Sequence, residues 1–96
     1  MVTVMIPSPL RRFSEGADRV EVEGSNLRQV FDNLGRLYPQ LRDRLIEDDD
    51  LRPGLAVAIN DEFTEEGLLG KVPEGGTVHI LPAMGGGSRT IERLDQ

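Results

Sequence analysis

Apolar and polar residues alternate with a period of two at both ends of this chain, and in its middle with a period near 3.6. Val2, Val4 and Ile6 alternate with Thr3 and Met5, which predicts a half-buried strand ended by Pro7 and Pro9, since proline cannot donate to a ladder. Arg19-Val20-Glu21-Val22-Glu23 alternates charge with valine, so a second strand should keep one face wet before Gly24. The basic stretch Leu10-Arg11-Arg12-Phe13 falls in the loop joining them, with Gly16 and Asp18 as turn residues. Leu27, Val30, Phe31, Leu34, Leu37 and Tyr38 then fall on one helical stripe, with Ser25 placed to cap its first turn. Arg28 stands where a capping box built on Ser25 would need Glu or Gln, so only the serine half of that motif is expected. Pro39 disfavours helical geometry at Tyr38, after which Leu41 and Leu45 suit a short second helical turn.

The acidic run Glu47-Asp48-Asp49-Asp50 reads as a solvated loop. Leu55, Val57 and Ile59, alternating with Ala56 and Ala58, predict a central strand. Asn60-Asp61-Glu62 then turns the chain into a short strand containing Phe63. Gly67-Leu68-Leu69-Gly70 suits a brief helical turn that plugs the core, and Pro73 with Gly75-Gly76 reverses the chain into a last strand. In that strand Val78 and Ile80 face the core while His79 and Leu81 face away; Pro82 ends it, and Gly85, Gly86 and Gly87 follow. The two end strands carry strong alternation and no hairpin joins them, so they are expected side by side and parallel. The result is an α+β fold of the β-grasp type, a mixed four- to five-stranded sheet with one main helix on one face. Val4, Val22, Leu27, Phe31, Leu34, Val57, Ile59, Val78 and Ile80 should form the core. Residues 1–84 are expected as the domain and 85–96 as a flexible glycine-rich tail with an extension.

Composition narrows the chemistry. The 96 residues carry no cysteine and one histidine, which excludes disulfides, thiolate metal sites and cysteine nucleophiles. No run approaches the length of a membrane span, so the chain is expected to be soluble and cytoplasmic, with no membrane partner. A net charge of -6 argues against nucleic acid, whose binding depends on Lys and Arg. The acidic run lacks the alternating ligands, glycine and closing Glu of a calcium loop, so no metal is assigned. His79 has no nucleophile or orienting acid beside it in sequence and is not a catalyst by itself. Instead Met5, Ala58, His79 and Leu81 should form an exposed, partly apolar docking patch on the sheet face away from the helix.

The order of elements, Tyr38-Pro39-x-Leu41, Ala58-Ile59-Asn60-Asp61-Glu62 and above all Val78-His79-Ile80-Leu81-Pro82-Ala83-Met84-Gly85-Gly86-Gly87 resemble the ubiquitin-like sulfur carriers. That family includes the molybdopterin synthase small subunit of molybdenum cofactor biosynthesis, the thiamine biosynthesis carrier, and the carrier of a mycobacterial-type cysteine route. The resemblance covers about residues 1–87 and implies a carrier acted on by partner enzymes. A ubiquitin-activating-type adenylating enzyme would use ATP on the terminal glycine carboxylate, and sulfur would displace AMP to leave a thiocarboxylate for a sulfur-accepting synthase subunit. No cofactor would be bound by the carrier itself. Glycine suits such a tail because any Cβ near the reacting carboxylate would crowd a narrow channel.

Alignment on Pro82 puts the family's last two glycines on Gly86 and Gly87, making Gly87 the implied adenylation and thiocarboxylate site. Here the chain departs from the pattern, because Ser88 to Gln96 follow. Some family members resemble pro-forms trimmed by a JAMM-type zinc metalloprotease, which implies removal of residues 88–96 before activation. The alternative is a non-catalytic ubiquitin-like interaction module.

Overall fold

The computed structural model describes residues 1–82. Its elements follow in the order β1 (Val2–Met5), a 3-10 helix (Ser8–Phe13), β2 (Arg19–Val22), α1 (Leu27–Leu37), α2 (Pro39–Leu45), β3 (Ile46–Glu47), β4 (Asp50–Leu51), β5 (Leu55–Ile59), β6 (Glu62–Phe63), a second 3-10 helix (Gly67–Leu69) and β7 (Thr77–Pro82). Five strands form one sheet in the order β2-β1-β7-β5-β6, with β1 and β7 parallel at its middle and the other pairs antiparallel. This is the β-grasp arrangement. The parallel register Val4↔Val78 and the antiparallel register Val57↔Ile80 place the alternating valines and isoleucines of all three inner strands on one face. That face meets Leu27, Val30, Phe31 and Leu34 of α1 and Leu41 and Leu45 of α2 in a single core.

The expected core is buried throughout, except that Ile59 is half-buried at its margin. Leu68 closes the core from the second 3-10 helix, as its spacing suggested. Both outer strands are short, four residues in β2 and two in β6, which limits the length of unpaired edge.

The structure corrects the local reading in three places. Asn26, not Ser25, is the N-cap of α1, its side chain accepting from the Gln29 amide at 2.9 Å. Gln29 reaches back to accept from the Ser25 amide at 2.8 Å and from its hydroxyl at 2.9 Å, so a reciprocal cap exists one residue later than the serine reading placed it. Around the acidic run the chain folds into the β3–β4 hairpin, with Asp48 and Asp49 at φ 54° and 64°. Aspartate tolerates that left-handed geometry, which two-residue hairpin turns demand. Finally, Leu10 to Phe13 is a 3-10 helix rather than an open loop, anchored by the buried Ser14 hydroxyl donating to the Ala17 carbonyl at 2.8 Å.

Candidate functional site

The strand that leads to the glycines is held on both sides. Thr3 N–H donates to the Gly76 carbonyl at 3.0 Å and Thr77 N–H to the Asn60 side chain at 3.0 Å, and β7 then pairs with β5 as far as Leu55↔Pro82. β1 pairs with β7 only as far as Met5↔His79, so Ile80 to Pro82, the part of the strand nearest the glycines, pair with β5 alone. Gly85, Gly86 and Gly87, the implied reactive tail, lie outside the described residues, as does the expected boundary at residue 84.

The sheet face away from the helices gathers the expected docking residues. Pairing of Met5 with His79 and of His79 with Ala58 puts three of them in one row across β1, β7 and β5, and Leu81 stands two residues further along β7 opposite Ala56. Leu81 is 40% exposed, and Met5 and His79 are half-buried. Ala58 differs from the expectation of an exposed residue, since only 7% of it is accessible. Its methyl group is too short to clear the larger side chains of His79 and Phe63 on either side, so it forms the floor of the patch and not its surface.

Phe63 is the member that sequence reasoning missed. Its pairing with Ala58 extends the row to Arg19–Met5–His79–Ala58–Phe63 across all five strands, and the residue is 64% exposed. The signal was available in the two residues Asn60-Asp61, because a two-residue hairpin loop pairs Ile59 with Glu62 and so Ala58 with Phe63. Asn60 adopts φ 58°, the left-handed geometry such a turn asks for. The result is a partly apolar strip ending on an exposed aromatic ring, the type of residue enriched at protein interfaces.

Both ends of the sheet carry mixed charge: Arg36 lines a depression with Glu23 and Glu74 at one end, and Asp18 and Asp43 lie among arginines at the other. Glu23, Asp61, Glu62 and Glu74 gather where β7 begins, and Glu74 accepts from the Met1 amine, a bond that raises that amine's pKa. Arg11, Arg12, Arg44 and Arg52 belong to the segments around the end where β7 finishes. On the helical side, Arg28 donates to Asp49 at 2.7 Å, and this hydrogen bond holds the exposed Asp49 carboxyl below the usual carboxylate range. Among the described residues, no three His, Cys, Asp or Glu side chains converge to hold a metal ion, and no helix is long and apolar enough to cross a membrane.

Comparison with known proteins adds family to geometry. The sequence pattern described as the ThiS family matches residues 4–87, stopping at the third glycine. The sulfur carrier protein CysO of Mycobacterium tuberculosis is 34% identical over 93 residues, which span 90% of this chain and 98% of that protein. Among solved structures, that of the Amycolatopsis orientalis BexX/CysO complex contains a chain that superposes with a TM-score of 0.85 at 34% identity, covering 91% of this chain and 100% of its own. The crystal structure of M. tuberculosis CysO gives a TM-score of 0.80 at 31% identity, with 88% and 100% covered.

Proposed function

The chain belongs to the ThiS family of ubiquitin-like sulfur carriers, and on that premise we propose that its sulfur travels as a thiocarboxylate on Gly87 after residues 88–96 are removed. The observation that carries the proposal is the end of the family match at Gly87, with nine residues beyond it. A carboxylate exists at Gly87 only when the Gly87–Ser88 peptide bond has been hydrolysed, work suited to a JAMM-type metalloprotease.

The carrier presents and its partners react. The Gly87 carboxylate oxygen attacks the α-phosphorus of ATP on a ubiquitin-activating-type enzyme, and pyrophosphate leaves. A sulfide-level sulfur then adds to the acyl carbon, the acyl–oxygen bond to AMP breaks, and the thiocarboxylate remains. A sulfur-accepting synthase subunit draws on it. Binding to these partners uses the strip of Met5, His79, Leu81 and Phe63 over Ala58, while the chain beyond Pro82 enters the channel. Of the three pathways open to the family, likeness to CysO favours cysteine biosynthesis over the molybdenum cofactor or thiamine routes. ATP belongs to the activating partner, and the cytoplasm, where that partner and ATP are found, is the proposed compartment.

The test compares two lengths of the same protein. Incubated with ATP and the adenylating enzyme of its host, a chain ending at Gly87 should release pyrophosphate. The chain ending at Gln96 should release none, because a glycine channel has no room for its side chains. Equal inertness of both, with every such enzyme of the host, would replace the carrier reading with that of an interaction module.

A further inference from the structure

Phe13 lies half-buried at the end of the first 3-10 helix, and two guanidinium groups rest over its ring, Arg12 at 5.2 Å and Arg44 at 4.6 Å from the centroid. Guanidinium groups carry like charges and repel, yet the negative face of an aromatic ring holds cations at this distance. Among the described residues neither Arg12 nor Arg44 has a carboxylate within ion-pair distance, whereas Arg42 pairs with Asp32 at 2.8 Å and Arg52 with Glu47 at 3.4 Å. Arg52 is fixed beside the pair because its amide donates to the Leu45 carbonyl at 2.8 Å. Phe13, Asp43, Arg44 and Arg52 line a shallow depression of about 300 Å³.

Two features of the fold give this cluster a purpose. The first is position. Because β1 runs parallel to β7, the 3-10 helix that follows Met5 lies at the end of the sheet where β7 finishes at Pro82, and Arg52 comes just before Leu55, the partner of Pro82. The second is contrast. The protein carries a net charge of -6, and although Glu15 and Asp43 line the depressions beside Phe13, neither pairs with Arg12 or Arg44, so two adjacent unpaired cations remain for a complementary surface to read.

We propose that Arg12, Phe13 and Arg44, with Arg52 at the rim, form a docking surface for an acidic stretch on the protein that receives the C-terminal tail. The identity of that recipient rests on the carrier reading; the preference for an acidic peptide does not. The ring pre-orders both arginines, so less side-chain freedom is lost on binding. Long-range attraction then brings the tail end of the carrier to its recipient first. Nucleic acid is disfavoured as the occupant by the acidity of the whole chain.

The test titrates isotopically labelled full-length protein with octaglutamate at low salt and follows amide shifts, with octathymidylate as the competing polyanion. Shifts should concentrate on Ser8–Phe13, the C-terminal half of α2 and Arg52, and should fade as salt is added. Arg12→Gln with Arg44→Gln should weaken binding about tenfold, as loss of two steering charges implies, while the remaining amide spectrum shows the fold unchanged. Shifts spread equally over Arg19, Arg36 and Lys71, unchanged affinity in the double variant, or preference for octathymidylate would each overturn the proposal. No activating enzyme enters this titration, so its failure leaves the carrier reading standing, and failure of adenylation leaves the titration result standing.

Discussion

Ile80 and Leu81 are neighbours on one strand with opposite surroundings, and substituting each tests whether β7 is registered as described. Ile80 is 2% exposed and pairs with Val57 over the helical core, whereas Leu81 is 40% exposed on the outer face. Ile80→Ala removes three carbons from a closed core, about 2.4 kcal/mol of transfer free energy at about 0.8 kcal/mol per carbon. The hole left behind adds to this, because helices on one side and paired strands on the other restrict collapse, and the total should reach about 3–4 kcal/mol. Leu81→Asp removes a side chain that solvent already reaches, so its cost should stay below about 1 kcal/mol. Urea unfolding followed by circular dichroism measures both, with the slope of free energy against urea confirming that the same surface is exposed. A cost below about 1 kcal/mol for Ile80→Ala, or a larger cost for Leu81→Asp, would refute the register, since a slip of one residue exchanges the two faces.

Four further substitutions probe other parts of the fold. Asn26→Ala should destabilise by about 1 kcal/mol through loss of the helix cap, and Ser25→Ala by less, measured by the same unfolding assay. Gly24→Ala should cost about 1–3 kcal/mol, because a Cβ there would lie 2.7 Å from the Val30 amide nitrogen, and backbone must move to admit it. Arg28→Gln should raise the Asp49 pKa toward its ordinary value in a carboxyl-detected NMR titration. The sign follows from the lowered native pKa: the pair's small contribution is present above the unfolded carboxylate pKa and is lost as pH falls through the native one. The variant should therefore lose less stability on acidification than the parent.

Strands β1, β2, β5 and β7 were legible because alternation over four to six residues specifies both an element and its buried face. The helical stripe was equally plain from Leu27 to Leu34, although Leu37 at its end is 55% exposed, and its cap was not plain: Ser25 and Asn26 both cap well, and only the reach of Gln29 decides between them. Two-residue strands such as β3, β4 and β6 have no period to read, so the hairpin at Asp48-Asp49 and the outward Phe63 depended on turn geometry. Accessibility of Ala58 could not be inferred from its face alone, because for so small a residue the neighbours across the sheet decide it. The pairing of Phe13 with two arginines joins the segment after β1 to α2, a contact between separate stretches that no local pattern announces.

The central claim concerns one oxygen atom on Gly87. Protein ending at Gly87, incubated with ATP, the host's adenylating enzyme and a sulfide source, should gain about 16 Da in its intact mass as sulfur replaces a carboxylate oxygen during acyl transfer. The gain should locate to the C-terminal fragment on sequencing and should vanish when ATP is omitted. An unchanged mass under conditions in which the enzyme activates a known sulfur carrier, or a gain that maps to any other residue, would contradict the account.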